Sequence, residues 1–297
     1  MVRKAAHAAR SAIVLAIITL ATAWLTSNQP PPAAPSVAAV SRLLGILATG
    51  EIRCGYLLYS PYFRKDPATG ELSGIFHDLM EHIGRTAKLK IVWVEETGYV
   101  SIFTSLDRGR YDVYAGGLWP DVSRARMASF TIPAFYSVVK AWGRSDERRF
   151  RGLQGIDDPA VTIATIDGAM DDRIARTDYP HARRISLPQS SDFTENFVNV
   201  TSRKADITFS EPGIIREFLQ RKPGALKELA PERPVRVFGN SLVVPRGDLQ
   251  LQEFLNVSLQ EALNNRIVET ILVKYESARG VFPRVALPYQ LETAALK

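Results

Sequence analysis

The feature that most constrains the fold is an alternation of short apolar runs with amphipathic helical segments, which occurs twice along the chain. In the first series, strand-like runs at residues 51–59, 90–96 and 111–118 enclose stretches with apolar residues at helical spacing. A polar, charged break at 145–158 precedes a second series of the same kind, which begins at Ala160. Strands that alternate with helices favour a mainly parallel sheet flanked by helices. We therefore predict an α/β fold with two lobes.

The predicted lobes are not continuous in sequence. Lobe 1 is expected over residues 43–140 and 243–276, lobe 2 over 141–242, and a C-terminal tail over 277–297. Two strand crossings, near residues 139–144 and 239–244, are expected to form a hinge between the lobes.

The N-terminus predicts export. Residues 1–27 place basic side chains before an uncharged apolar run, as in a signal peptide, and the run is short for a membrane span. The alternatives are cleavage after the apolar run or retention as an uncleaved membrane anchor. Residues 28–42 are rich in proline and alanine and predict an extended linker. Either way, the rest of the chain is expected to be periplasmic or otherwise extracytoplasmic.

Composition excludes several classes of site. The single cysteine, Cys54, rules out an intrachain disulfide and a cysteine metal cluster, and the four histidines lack metal-ligand spacing. The formal net charge is +6, and Arg3, Lys4 and Arg10 supply half of it ahead of the apolar run. Such a mild excess does not indicate nucleic-acid binding. We predict no metal, no cofactor and no nucleic-acid partner.

Several unusual side chains follow the predicted strands. Tyr59 follows the first strand, Gly117 and Trp119 follow the third, and Glu211 follows a strand of the second series. Ligands in open α/β sheets bind outside the carboxyl ends of strands. Arg124, just after the glycine-ended strand, offers a bidentate fork to a carboxylate. A cation and an anion from different lobes suit a ligand that carries both charges.

Residues 43–276 resemble the type 3 periplasmic solute-binding proteins, the amino-acid receptors of ABC importers. Four segments carry the resemblance, in the family's order: "SGIFHDLMEHIG", "LDRGRYDVYAGG", "SRARMASFTIPAFYS" and "KADITFSEP". The positions that match the family's motifs are Gly74, Ile75, Asp78, Leu79, Leu106, Gly109, Asp112, Gly117, Arg124, Ala125, Phe130 and Pro133. The resemblance implies the two-lobed fold of that family.

The resemblance also implies roles for single residues. Arg124 is expected to bind the ligand α-carboxylate, and Glu211, where the family more often has aspartate, is expected to bind the α-amino group. Tyr59 and Tyr99 are expected to sandwich the ligand side chain, while the carbonyl of Gly117 accepts from the ammonium. Trp119 begins the segment that replaces the family's T-x-T, so a hydroxyl that usually helps to bind the carboxylate is missing. A flat, apolar or cationic ligand would suit this change.

Each assignment has a structural alternative. Arg124 could be a solvated helix residue, and Glu211 could be a helix N-cap that complements the helix dipole. Tyr59, Tyr99 and Trp119 could be packing aromatics.

The chain is thus interpreted as an exported, monomeric binding protein without enzymatic activity. Its lobes would close on a small, amino acid-like ligand, and an ABC permease or a receptor in the membrane would read the closure. One alternative is an enzyme similar to the cyclohexadienyl dehydratases, with Glu211 or Glu95 transferring a proton. Another is a sensor that works through a separate membrane partner.

Overall fold

The computed structural model describes residues 41–276 and 278–286. The predicted signal peptide or anchor, the linker up to residue 40 and residues 287–297 lie outside the described residues. Within the described ranges, no helix is long and apolar enough to span a bilayer.

Helices and strands alternate along the described chain as the hydrophobic pattern predicts. The helices are α1 (Arg42–Thr49), α2 (Ile75–Ala87), α3 (Ile102–Asp107), α4 (Val122–Ala125), α5 (Met170–Asp178), α6 (Phe193–Thr201), α7 (Pro212–Arg221), α8 (Leu249–Asn264) and α9 (Ile267–Tyr275). The strands are β1 (Glu51–Tyr56), β2 (Arg64–Lys65), β3 (Leu72–Ser73), β4 (Lys90–Glu96), β5 (Val113–Leu118), β6 (Ala128–Phe130), β7 (Phe135–Arg144), β8 (Thr162–Ile166), β9 (Arg183–Leu187), β10 (Ile207–Ser210), β11 (Leu226–Glu228) and β12 (Arg236–Pro245). The run predicted at 90–96 coincides with β4, whereas β1 and β5 are shorter than the runs that contain them.

The first series of strands forms a parallel sheet with one returning strand. The order is β4-β1-β5-β12, in which β1 pairs in parallel with β4 and β5. Strand β12 returns from the second series and runs antiparallel to β5 and β6. The carboxyl ends of β1 and β5 therefore lie at the same edge, where the loops after them meet.

The second series repeats this arrangement. Strand β8 pairs in parallel with β9 and β10, and β10 pairs antiparallel with β7, which comes from the first series. The short strand β11 extends the same sheet along the other edge of β7.

Two long strands join the sheets. Strand β7 pairs with β12 over residues 135–139 and with β10 over 140–143. Strand β12 pairs with β7 over 236–240 and with β5 and β6 over 241–245. The predicted lobe boundaries, at residues 140 and 242, fall inside these two strands, so each strand leaves one sheet and enters the other.

The first series has a core of its own to which the C-terminal segment contributes. Phe282, which the sequence analysis placed in the tail, is 2% exposed and packs edge-on against Tyr62 and Phe135. Arg284 holds this segment in place through ion pairs of 2.7 Å with both Glu269 and Glu276. Residues 278–286 therefore belong to the packed domain rather than to a free tail.

Candidate functional site

The loop after β1 brings aromatic side chains to the carboxyl edge of the first sheet. Tyr59 and Phe63 exchange two backbone hydrogen bonds of 3.0 Å, which close the loop. The loop packs on the start of α2, where Gly74 has a φ of 125°. A Cβ atom at residue 74 would lie 2.6 Å from the carbonyl oxygen of Tyr62. Glycine at this position therefore lets the loop that carries Tyr59 and Tyr62 lie close against the start of α2.

Glu211 lies at the junction of β10 and α7. It occupies the N-cap position of α7, yet its side chain makes no capping hydrogen bond. Instead, one carboxylate oxygen accepts from the Tyr59 hydroxyl at 3.1 Å, and the other accepts from the Tyr62 hydroxyl. The residue is 2% exposed. The side chain of Glu211 thus bridges the two series of strands rather than capping its own helix.

Burial changes the acidity of this carboxyl group. Removal from water disfavours the charged form and raises the pKa of Glu211 to about 7, although hydrogen bonds from Tyr62, Ser137 and Tyr59 act in the opposite direction. We therefore expect the carboxyl group of Glu211, which is enclosed by hydroxyl groups, to change its protonation state near neutral pH.

Arg124 lies in the short helix α4, which follows the glycine-ended strand β5. Asp121 caps this helix by accepting from the backbone N–H groups of Ser123 and Arg124. The guanidinium of Arg124 donates from Nη1 to the carbonyl oxygen of Trp119 at 2.9 Å. Arg124 is only 7% exposed, and this burial is the main reason that its pKa is lowered. The structure therefore gives a buried cation rather than a solvated helix residue.

The charge of Arg124 is only partly balanced. Asp121 Oδ2 lies 3.5 Å from Arg124 Nε and 2.9 Å from Arg173 Nη2, so two guanidinium groups share one carboxylate. The proximity of Arg173 further lowers the pKa of Arg124. This cluster carries a net positive charge, and an anion placed beside Arg124 would relieve it.

Trp119 packs between the two sheets. Its ring stacks on Phe238 with centroids 4.5 Å apart and an interplanar angle of 2°. Its Nε1 donates to Asn240 Oδ1 at 2.7 Å, and Asn240 Nδ2 donates to Ser137 Oγ at 2.8 Å. Since Ser137 is hydrogen-bonded to the Tyr62 hydroxyl, a continuous polar chain runs from Trp119 to Glu211.

Five of the six predicted site residues line one small cavity. The cavity measures about 30 Å³ and lies between the two series of strands. Its lining consists of Leu57, Tyr59, Tyr62, Tyr99, Tyr114, Gly116, Gly117, Leu118, Trp119, Arg124, Met170, Phe193 and Asn240. Glu211 is not part of this lining, because the tyrosine side chains cover it. The structure thus brings Arg124, Trp119, Tyr59, Tyr99 and Gly117 together and leaves Glu211 behind them.

Two further cavities adjoin the first. One of about 150 Å³ shares Trp119, Arg124 and Met170 with it, and is also lined by Asp121, Arg173 and Arg236, among others. The other, of about 590 Å³, shares Leu57, Tyr59, Tyr99 and Phe193 with it, and has Glu96, Asp192 and Glu217 in its wall. The cavity of about 150 Å³ is therefore lined by three basic side chains and one acidic one, whereas the large cavity is lined by three acidic side chains and one basic one, Arg221.

Gly117 lines the cavity and also has a backbone conformation and a close contact that favour glycine. It has a φ of 72°, and a Cβ atom at this position would lie 2.1 Å from the ring of Phe76. Phe76 is fully buried in the first core, so glycine lets β5 end against it. The glycine that the sequence analysis assigned to the ligand therefore has a packing reason as well.

The sequence analysis missed four residues that complete the site. Tyr62 was visible in the aromatic run after β1, but nothing marked its hydroxyl as the partner of Glu211. Met170 and Phe193 are the first residues of two helices in the second series. The local sequence pattern predicts these helices, but it does not predict which side chains face the cavity. Asn240 lies in the returning strand β12, and only the pairing of that strand with β5, where Ser241 lies opposite Leu118, brings it beside Trp119.

The described residues contain no cluster of three or more histidine, cysteine, aspartate or glutamate side chains that could hold a metal ion.

Comparison with known proteins places this geometry in context. Residues 52–278 match the bacterial extracellular solute-binding proteins, family 3. Cyclohexadienyl dehydratase from Pseudomonas aeruginosa is 24% identical over 245 residues, which cover 81% of this chain and 90% of that protein.

Solved structures share the fold at low sequence identity. An ancestral amino acid-binding protein, described as a precursor of cyclohexadienyl dehydratase, superposes with a TM-score of 0.68 at 20% identity, covering 80% of this chain and all of that one. The putative binding component of an ABC transporter from Wolinella succinogenes, complexed with lysine, gives a TM-score of 0.68 at 19% identity, covering 77% and 97%. The predicted two-lobed α/β fold and the resemblance in the sequence motifs are both confirmed. This chain belongs to the bacterial extracellular solute-binding proteins, family 3.

Proposed function

We propose that the protein captures a small carboxylate-bearing solute between its two lobes, outside the cytoplasm, for uptake through an ABC permease or for sensing by a membrane receptor. The observation that carries the proposal is Arg124, a buried guanidinium that lines a cavity between the lobes. A buried charge without a full partner is unfavourable, and a bidentate carboxylate supplies both charge and hydrogen-bond geometry.

The size of the cavity supports a closing mechanism. About 30 Å³ holds one or two water molecules, whereas small-molecule sites measure roughly 300 Å³ or more. Arg124 also lines the adjoining cavity of about 150 Å³, which is still smaller than such sites. A solute would therefore reach Arg124 only when the lobes separate, and the strands β7 and β12, which cross between the sheets, would form the hinge. Closure would then remove water from the Arg124–carboxylate pair and strengthen it.

Contacts between the predicted lobes support the same mechanism. Gln189 accepts from the backbone N–H of Val100 at 3.1 Å, Arg173 pairs with Asp121, and the Tyr59 ring lies 4.9 Å from that of Phe193. These are small polar and aromatic contacts rather than a continuous apolar core. Such an interface can open and close at moderate cost in free energy.

A screen of the purified protein by thermal shift tests the proposal. Amino acids, polyamines and aromatic and aliphatic acids are compared, each acid beside its neutral amide. A ligand at about 100 times its Kd stabilises the folded state by about 2.7 kcal/mol. We expect at least one carboxylate to raise the melting temperature and its amide to leave it unchanged. Stabilisation only by compounds without a carboxylate would contradict the role given to Arg124.

Cyclohexadienyl dehydratase activity is a second candidate, which Glu211 favours because its raised pKa of about 7 suits a proton donor. Binding alone is better supported, because Glu211 does not line the cavity and both its oxygens are engaged by tyrosines. Incubation with prephenate separates the two functions. Release of phenylpyruvate that is lost in Glu211→Gln would establish the enzyme.

Export is proposed from residues 1–27, which lie outside the described residues, and from the extracellular location of the family. A fusion of residues 1–40 to a reporter that works only outside the cytoplasm should be active. Recovery of the protein in the soluble periplasmic fraction would indicate cleavage, and recovery in membranes would indicate an anchor. A fusion that is inactive outside the cytoplasm would contradict export.

A further inference from the structure

The edge of the second sheet that points away from the cleft collects basic side chains. Strands β8, β9 and β10 begin at this edge, because β8 pairs in parallel with both of the others. Strand β7 ends here, where Gly143 pairs with Ile207 at the start of β10, and β11 begins where Leu226 pairs with Arg144. We call this region the basic edge, and it comprises residues 144–151, 157–158, 181–183, 203–206 and 222–227.

Ion pairs hold the segments of the basic edge together. Arg149 Nη2 lies 2.5 Å from Asp206 Oδ1, and Arg203 Nη2 lies 2.6 Å from Asp146 Oδ2. The ammonium group of Lys227 donates to the backbone carbonyl of Glu147. The segments therefore form one connected surface rather than separate loops.

The acidic side chains of the basic edge do not balance its positive charge. The edge has nine lysine and arginine residues against five aspartate and glutamate residues. Four of the five acids already have cationic partners: Asp146, Glu147 and Asp206 pair with arginines, and Asp157 pairs with His181.

Five basic side chains of the edge make no ion pair with any residue that the structure describes, and all five are exposed: Arg148, Arg151, Arg183, Lys204 and Lys222. Like charges held on one surface repel one another, and an anionic partner would relieve this repulsion.

The basic edge lacks the apolar centre of a stable protein interface. Its large apolar residues, Phe150 and Leu226, are 8% and 5% exposed, so they face the interior of the lobe. Protein interfaces usually have aromatic and aliphatic side chains at their centre. The exposed groups are guanidinium and ammonium ions, which suit phosphate oxygens. A layer of anionic phospholipid headgroups offers such oxygens over a wide area and attracts basic surfaces by charge alone.

We propose that the basic edge docks the second lobe on a membrane surface rich in anionic phospholipids. This docking goes beyond the proposed function, because no residue of the basic edge lines any of the three cavities of the cleft. Attachment through one lobe leaves the other lobe free to move.

Cosedimentation of the purified full-length protein with lipid vesicles tests the proposal. Vesicles of phosphatidylcholine are compared with vesicles that contain equal parts of phosphatidylglycerol and phosphatidylcholine. At about 0.01 M salt, we expect the anionic vesicles to bind the protein at least about tenfold better than the neutral ones. At about 1 M salt, where the Debye length is about 3 Å, this preference should be lost.

Two charge-reversal variants separate the basic edge from net charge. The test variant carries Arg148→Glu, Arg151→Glu and Lys204→Glu, and should bind anionic vesicles about tenfold or more weakly than wild type. The control variant carries Arg85→Glu, Lys88→Glu and Arg108→Glu, which replace exposed residues of the first lobe without ion pairs to described residues. It should keep most of the binding. Residues 1–40 are the same in all three proteins, so their own affinity for lipid does not affect the comparison.

The outcomes that would overturn the proposal are distinct. Equal binding to neutral and anionic vesicles, or equal loss in both variants, would mean that the basic edge is not the docking surface. Absence of binding to either vesicle would exclude docking on lipid. If poly-L-glutamate were then bound by wild type and not by the test variant, the surface would belong to an acidic protein instead. Circular dichroism and melting temperature show that each variant is folded, and single alanine substitutions at Arg148 and Lys204 replace the test variant if it is not.

Discussion

The two buried charged groups of the cleft, Arg124 and Glu211, have nearly the same exposure but opposite surroundings. Arg124 lies in the wall of a cavity, with one backbone carbonyl as a hydrogen-bond acceptor and a carboxylate that it shares with Arg173. Glu211 lies behind two tyrosine rings, with both oxygens occupied. Arg124 can still gain a negatively charged partner, whereas both oxygens of Glu211 already accept hydrogen bonds from this chain.

Because their surroundings differ, the two groups differ in the partners that they can still accept. An arginine stays protonated even when it is buried, so its positive charge needs an anion nearby. A buried carboxylic acid can protonate, and hydroxyl groups can satisfy both of its states. The Arg124 end is therefore suited to a ligand, and the Glu211 end is suited to joining the lobes.

The largest expected effect concerns the pH dependence of stability at the Glu211 end. The folded-state pKa of Glu211, about 7, lies above its ordinary value of 4.5, so the folded state binds more protons between these values. The free energy of unfolding should therefore fall as pH rises from 4.5 to 7, by about 3 kcal/mol for this group.

Chemical denaturation of wild type and Glu211→Gln at pH 4.5 and 7.5 measures this effect. The stability of wild type relative to the variant should decrease by that amount on going to the higher pH. Asp171, whose burial raises its pKa to about 8, contributes to both proteins and cancels in the difference. A difference that does not change with pH would mean that folding leaves the pKa of Glu211 at its ordinary value.

At the other end of the cleft, Arg124→Ala should weaken carboxylate binding by about two orders of magnitude, which corresponds to about 2.7 kcal/mol. Arg124→Lys should restore only part of the affinity, because an ammonium cannot supply the fork. The fold should persist, since the substitution removes a buried, incompletely paired charge.

Calorimetric titration and melting temperature together decide the role of Arg124. Arg126→Ala, two residues further along the chain, is the matched control and should bind as wild type does. Equal affinity in wild type and Arg124→Ala would leave the ligand without its proposed anchor. Unfolding of the alanine variant would show a structural role instead.

A smaller effect is expected where the two ends are connected. Trp119→Phe keeps the ring stack on Phe238 but leaves Asn240 Oδ1 without the indole donor, at a cost of about 1–2 kcal/mol. The variant should also lose most of the ligand-induced change in intrinsic fluorescence. Trp93→Phe, outside the cavity lining, is the control. If the fluorescence change survives in Trp119→Phe, it arises elsewhere, for example from Trp142 in β7.

The smallest effect is expected for the ion pair that Asp121 makes with the second series of strands. Arg173 is 38% exposed, so its contact with Asp121 resembles a surface pair, and Arg173→Ala should reduce stability by less than about 1 kcal/mol. Ligand affinity should fall only a few-fold, since Arg124 keeps the bidentate contact. Arg176→Ala, on the same helix but paired with Asp172, is the control. A loss as large as that of Arg124→Ala would make Arg173 a direct ligand contact.

Much of the fold could be predicted from local pattern. The alternation of apolar runs and amphipathic segments predicted β1, β4 and β5 and the helices between them, because side-chain periodicity reports which face of each element is buried. The packing of residues 278–286 against the core was not predicted, because a single phenylalanine, Phe282, in a proline-containing stretch shows no periodicity. Its place in the core depends on Tyr62 and Phe135, which lie far away in sequence.

The sequence by itself determined that this chain alternates strands with helices, and that Arg124 and Glu211 follow strands of different series. Those properties depend on neighbouring residues, whose spacing sets local conformation. Only the tertiary structure decided what surrounds each charge: the hydroxyls that occupy Glu211 come from residues 149 and 152 positions away, and the amide that binds Trp119 comes from 121 positions away. Burial and hydrogen bonding set the energy of a charged group, and both are created by atoms that chain folding, rather than sequence proximity, brings together.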